Sequence, residues 1–199
     1  NYFNQNTYVW RVQDGVLSET ALEKAHRVLA NPEYQIKDIS NTNLEEAAEN
    51  LRTIYNKAWA LFTGVKEMTK EEAQTLMRTL RPIIDPNLIY FAYHNDKPIG
   101  FFVMVPDLNC VIGKFNGKFG LIEKLRLMYE LKVRKSCDRV FGIIFGITPE
   151  YQGKGIESAI MTYILENYIQ TGRSHYKSFE FAWIGDFNPV MNKMIERYV

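Results

Sequence analysis

The residues best suited to chemistry stand in one short run, Gln152-Gly153-Lys154-Gly155-Ile156. An apolar run ending at Ile147 precedes them. An amphipathic stretch from Ile156 to about Gln170 follows, with Ile156, Ala159, Ile160, Tyr163, Ile164 and Asn167 on one helical face. A helix N-terminus offers N–H groups that have no intrahelical acceptor, at the positive end of the helix dipole. Glycines on both sides of Lys154 let an anion approach the backbone, and the lysine adds a mobile positive charge. The chemistry this predicts is phosphate binding. A plain turn with a glycine-rich helix start would use the same glycines, and spacing alone does not separate the two. Two well-known phosphate loops do not fit. Gly146 is too far from Gly153 for GxxxxGK, and Gly153-Lys154-Gly155 is followed by Ile156-Glu157-Ser158 rather than the rest of GxGxxG.

Candidates for proton transfer are sparser. Asp107 and Asn109, in Pro106-Asp107-Leu108-Asn109, follow a strand end and precede a glycine-containing loop, a usual place for substrate contacts; an Asx turn would use the same residues. Glu180 and Asp186 are further candidate carboxylates, Tyr198 a candidate acid, and Tyr151 and Trp183 candidate pocket walls. His26, His94 and His175 lie far apart, and Cys110 and Cys137 have no metal-ligand spacing, so no metal is expected.

The elements that must position these residues follow from periodicity. Capping pairs Thr42/Glu45 and Thr69/Glu72 open two helices. Leu88 to His94, Asn95-Asp96 and Ile99 to Val105 read as a hairpin. Leu121 to Lys132 reads as a helix with Leu121, Leu125, Met128 and Leu131 inward. Arg139 to Ile147 is almost wholly apolar, so a central strand covered on both faces is predicted, parallel to a strand at 178–184 across the crossover helix. Asn188-Pro189 opens a last helix with Met191, Met194, Ile195 and Tyr198 as its stripe. This order predicts a mixed α/β (α+β) sheet flanked by helices.

The 199 residues suit one domain with an appendage, and 24 Lys and Arg against 23 Asp and Glu leave a charge of +1. A broad basic field for nucleic acid is absent. The chain has no signal peptide and no apolar run of spanning length, so no membrane partner is expected. Two cysteines do not make a disulfide scaffold, and a reduced, cytoplasmic setting is the expectation.

The stretch Gly146 to Ile156 resembles motif A of the GCN5-related N-acetyltransferases (GNAT), whose pattern is Gln or Arg, two residues, Gly, one residue, then Gly or Ala. Gln152 and Gly155 match it, and Asn188 to Tyr198 is similar to the family's motif B. The order of elements over 42–199 is also similar, and the whole resembles an uncharacterised bacterial acetyltransferase-like group. The resemblance implies a domain over 41–199, with 1–40 a segment in the connection from a preceding domain. It implies acetyl-CoA or another acyl-CoA as co-substrate and transfer of the acyl group to an amine of a small molecule; a long acyl chain on a carrier protein is a further donor. The backbone at 152–157 (Gln152, Gly153, Lys154, Gly155, Ile156 and Glu157) would take the pyrophosphate. Thr148 and the polar groups of Phe145 and Ile147 would line a wedge between 139–147 and 178–184, with Asn188 at its mouth. The family adds a closing strand after its last helix, so an open sheet edge beside 178–184 is expected. Two residues depart from the pattern. Glu157 stands where the family has Gly or Ala, and Ile195 aligns with a tyrosine that protonates the leaving thiolate. They support the alternative of a catalytically degenerate domain that binds a ligand or partner.

Overall fold

The hairpin forms as its turn chemistry requires. Asn95 and Asp96 both adopt positive φ, 47° and 60°, which two-residue hairpin turns need and these side chains tolerate. The flanking strands are Ile89–His94 and Lys97–Pro106. The computed structural model describes residues 4–12, 18–59, 66–186 and 189–196. In these, the strands are β1 (Gln5–Arg11), β2 (Tyr34–Asp38), β3 (Ile89–His94), β4 (Lys97–Pro106), β5 (Arg139–Ile147) and β6 (Ser178–Gly185). They form one sheet in the order β1-β6-β5-β4-β3-β2. Only β5 and β6 run parallel, so the apolar run at 139–147 is central as expected. The helices are α1 (Glu19–Leu29), α2 (Leu44–Trp59), α3 (Lys70–Leu80), α4 (Asn109–Ile112), α5 (Leu121–Lys132), α6 (Ile156–Ile164) and α7 (Pro189–Ile195).

Two cores sandwich the sheet. On one face α1, α6 and Ile195 of α7 pack on Tyr90, Phe102, Val140, Phe179 and Phe181. On the other, α2 and α3 bury Leu51, Ile54 and Met77 against Phe91, Phe101 and Val103. Burying one such aliphatic side chain is worth about 1.5–3 kcal/mol. The helix starts are capped, though not always as predicted. Thr69 and Glu72 make both bonds of the capping box, at 3.1 and 2.8 Å. At α2 it is Asn43, not Thr42, whose side chain accepts the Glu45 N–H, at 2.9 Å.

Four expectations are corrected. The edge beside 178–184 is not open: β1 pairs antiparallel with β6 from Gln5↔Gly185 to Arg11↔Ser178. Residues 1–40 are accordingly no mere connection, since β1 and β2 form the two borders of the sheet and Val28 of α1 lies in its core. The helix at 121–132 is turned the other way round. Leu121, Leu125 and Met128 are exposed and Leu131 is half-buried, while Leu127 and Glu130 are buried. That stretch is apolar around most of its circumference, so periodicity could not choose the arc to bury. The arc chosen joins a small core of Val111, Phe115, Leu127 and Cys137. Finally, Cys110 and Cys137 are bonded to each other and close the 107–138 excursion at its base.

Candidate functional site: a forked strand pair over a helix N-terminus

β5 and β6 begin as a regular parallel pair, Arg139↔Ser178 through Gly142↔Phe181, and no pairing continues beyond it. The cause is visible on the other side of β5. There Val103 faces Ile144 but Met104 faces Gly142, so Ile143 is an extra residue, a β-bulge. Bulges bend a strand and interrupt its ladder. β6 is irregular at the same level, where its register with β1 shifts between Asn6↔Ile184 and Tyr8↔Phe181. The two strands therefore part at Gly142 and form a fork. Gly142 suits this point: a Cβ there would stand 3.1 Å from Phe181 and 3.2 Å from Phe102, whose rings stack 6.0 Å apart.

The apolar β5 was expected to be covered on both faces. It is not: Ile143 is 58% exposed and Phe145 half-buried. The Thr148 N–H donates to the Ile99 carbonyl at 2.9 Å, on the β4 side. Strand alternation then turns the polar groups of Ile147 and Phe145 the opposite way, into the fork. The Ile147 carbonyl accepts the Gln152 side-chain amide at 3.0 Å, which ties the loop to the strand end.

Beyond the fork the chain reverses into α6. Gly153 and Gly155 hold φ of 73° and 86°, a region other residues rarely adopt. Gly155 is the N-cap of α6, and no side chain caps this helix. A Cβ on Gly153 would meet nothing within 4 Å, whereas one on Gly155 would lie 3.5 Å from the Lys24 carbonyl of α1. The N–H groups of Ile156 and Glu157 belong to the first turn, where the helix supplies no acceptors. Lys154 lies 5.0 Å from the centroid of the Tyr151 ring. The Tyr151 hydroxyl is hydrogen-bonded to His94 Nδ1 at 2.9 Å, and His94 Nε2 lies 3.5 Å from Glu33. Glu157 is half-buried and makes no ion pair among the described residues.

The structure thus brings Phe145, Ile147, Thr148, Gln152, Gly153, Lys154, Gly155, Ile156 and Glu157 into one strand-end, loop and helix start. Asn188 and Tyr198 lie outside the described residues. Asp107 and Asn109 are elsewhere: the Asp107 carboxylate accepts the Asn109 N–H at 3.0 Å in an Asx turn beside Arg139, at the closed end of the fork. Asp186 is exposed, and its carboxylate accepts the Asn4 N–H at 3.3 Å on the β1 side. Glu180 is better placed. It precedes the last β5–β6 pair, faces Phe141 in the ladder, and lies 3.6 Å from the Arg139 guanidinium with 18% of its side chain exposed. The second core draws its sheet residues from β3 and β4, with Ile144 of β5 at its rim. That sheet face is open farther on, where Phe141, Glu180 and the 43% exposed Val9 lie. Trp59 packs on the second core, its indole nitrogen 3.3 Å from where a Gly146 Cβ would stand.

Sequence reasoning missed the bulge at Ile143, the His94–Tyr151 anchor and Asn192. The Asn192 side chain accepts from Asn6 and from the Tyr8 hydroxyl, both at 2.9 Å, and donates to the Gly185 carbonyl, fastening α7 to β1 and β6. No sequence signal marks any of the three, because each depends on a partner far away in the chain. A cleft of about 510 Å³ does not belong to the fork; Arg81, Asp85, Lys135, Arg173 and Tyr176 help to line it. There Asp85 accepts from the hydroxyls of Tyr168 and Tyr176. Burial first, and then Asp85, raise the pKa of both phenols, so they act as neutral donors that hold the cleft together.

The fold is shared with solved proteins. Over 98% of this chain and 20% of the other, a GCN5-related glucosamine N-acetyltransferase region of a fungal multi-domain GH3 β-N-acetylglucosaminidase superposes with a TM-score of 0.54 at 10% identity. The chain has a GNAT-like fold. No protein-family model matches it. Two relatives match the chain by sequence. Protein YghO of Escherichia coli (strain K12) is 29% identical over 164 residues, 81% of this chain and 42% of its own length. The bacterial ceramide synthase of Caulobacter vibrioides is 22% identical over 197 residues, 96% of this chain and 50% of its own. The GNAT-like chain thus spans half or less of the relatives it matches. Among the described residues, no group of three or more acidic, histidine or cysteine side chains could hold a metal.

Proposed function

We propose that this domain transfers an acyl group from acyl-coenzyme A to an amine of a small molecule. The observation that carries the reading is the fork, which begins at Gly142 and ends over the N-terminus of α6. The residues fit such a donor. The space beside Gly153 and the first-turn N–H groups would take the pyrophosphate, with Lys154 as a mobile counter-charge. The polar groups of Phe145 and Ile147 would pair with the amide-bearing arm. Thr148 is buried beneath the loop and supports it. Acyl-coenzyme A would supply the activated acyl group as a thioester. The amine would arrive on the open sheet face between Trp59 and Glu180. An amine with a pKa of about 10.4 must lose a proton before it can attack, and Glu180 would accept it. A ceramide synthase among the relatives and an N-acetyltransferase region among the solved neighbours support acyl transfer to an amine.

A second reading is a domain that binds the ligand without chemistry. The position that aligns with the family's tyrosine is Ile195, which is fully buried in the core and offers no proton to a leaving thiolate. Titration calorimetry with coenzyme A, followed by a thiol-release assay with acyl-coenzyme A and amines, separates the readings. Binding with turnover supports transfer, and binding without turnover supports the second. No heat with coenzyme A at about millimolar ligand overturns the donor assignment and leaves a domain that binds another ligand or a partner without chemistry. Glu157→Gln gives an internal control. A unit charge at about 4 Å is worth roughly 1 kcal/mol in water and about four times that in a partly screened site. Its removal should tighten coenzyme A binding several-fold, less so as salt rises.

A further inference from the structure

We propose that α5 and the loop before it dock on the surface of an anionic lipid bilayer. Ten large apolar side chains are exposed among the described residues, and seven of them lie between Phe119 and Val133. On α5 the outward arc carries Leu121, Ile122, Leu125 and Tyr129, with exposures of 74%, 77%, 59% and 53%. At 100° per residue, Lys124 falls at one margin of this arc and Arg126 at the other. The opposite side of the helix faces the protein, with Leu127 in the small core and Glu130 buried.

Charge complementarity commits the surface to an anionic partner. Residues 114–135 hold seven Lys and Arg against two Glu, a net +5, while the chain as a whole carries +1. The rest of the chain is therefore at −4. Both acids are used internally: Glu123 accepts the Gly120 N–H at 2.9 Å, and Glu130 pairs with Arg134 at 3.1 Å. Lys118, Lys124 and Arg126 are exposed beside the apolar arc, with Lys124 5.8 Å from the centroid of the Phe119 ring and Arg126 5.8 Å from that of Phe115. Basic groups flanking an apolar arc are the combination that places a helix in the interfacial plane of a bilayer. At 12 residues α5 is too short to span one, and no described helix is long and apolar enough to do so. The expectation of no membrane partner rested on spanning length, which a helix lying on the surface does not need.

The test is co-sedimentation of the whole protein with vesicles of phosphatidylcholine alone and of phosphatidylcholine with about one-third phosphatidylserine. Binding is expected to the mixed vesicles and to fall with salt, because each basic residue near such a surface contributes roughly a five-fold factor. Ile122→Glu with Leu125→Glu should weaken it at least ten-fold, as should Lys118→Glu with Lys124→Glu and Arg126→Glu. These positions are exposed, so unchanged thermal melting confirms that the variants fold. In Tyr129→Trp, emission should shift to the blue on adding the mixed vesicles. Absence of binding to the mixed vesicles overturns the proposal, as does binding that the α5 variants leave unchanged. Self-association that Ile122→Glu with Leu125→Glu abolishes, without vesicle binding, assigns the face to a second copy instead. Capture of an acidic carrier protein without vesicle binding assigns it to a protein partner.

Discussion

At Gly153 the backbone and the space around it make different demands, and that difference can be measured. Its φ of 73° favours glycine, yet a Cβ there would touch nothing within 4 Å. Gly153→Ala should therefore cost only about 1 kcal/mol of stability, the usual penalty for a left-handed alanine. If the space is the phosphate cradle, the added methyl stands where the ligand must approach, and coenzyme A affinity should fall ten-fold or more by calorimetry. Equal loss of stability with unchanged affinity would return the loop to an ordinary turn. Glu180 is tested by Glu180→Gln, which keeps shape and removes the base. General-base catalysis contributes typically about 10²–10⁴-fold, so turnover should fall in that range with the Michaelis constant for acyl-coenzyme A little changed. Retained turnover would move the proton acceptor elsewhere.

Among the elements, the C-terminal end of α5 is closed by a buried carboxylate. Glu130 is 5% exposed, accepts the Ser136 hydroxyl and pairs with Arg134. The Ser136 hydrogen bond is the main cause that holds its pKa below the ordinary carboxylate value; Arg134 adds to it and burial opposes it. A carboxyl whose pKa is lower folded than unfolded adds stability above the unfolded value of about 4.5, and that stability is lost as pH falls through the lower folded value. Hydrogen exchange over 121–135, corrected for intrinsic rates, should stay protected from about pH 7 to pH 5 and lose protection below. Glu130→Gln should show reduced protection already at neutral pH and a flatter profile. An identical profile in the variant would mean that Leu127 and the Cys110–Cys137 bond alone hold the helix down.

The whole molecule depends on its first strand. β1 covers the edge of β6, and α1 packs against the start of α6 at Gly155. A chain beginning at residue 41 would bare the β6 edge and remove Trp10, Ala21, Val28 and Ile36 from the larger core. It should be insoluble or melt well below the 199-residue chain; a soluble product with the same melting temperature would show that the sheet closes without β1.

What the sequence determines by itself is local. Positive-φ glycines around Lys154, the Asn95-Asp96 turn, the Thr69/Glu72 cap and the order of helices and strands all depend on neighbours within a few residues, so residue type and spacing reveal them. The resemblance to motif A rests on the same kind of local signal, residue types within one short run. Only the tertiary structure decides which strand covers β6, where β5 bulges, and which arc of α5 is buried. β1 lies more than 160 residues from β6, and the bulge at Ile143 depends on its register with β4. An apolar run such as 139–147 signals that it can be buried but not what lies against it. Its middle, from Ile143 to Phe145, remains exposed or half-buried because β6 turns away there, and that parting depends on strands distant in the chain.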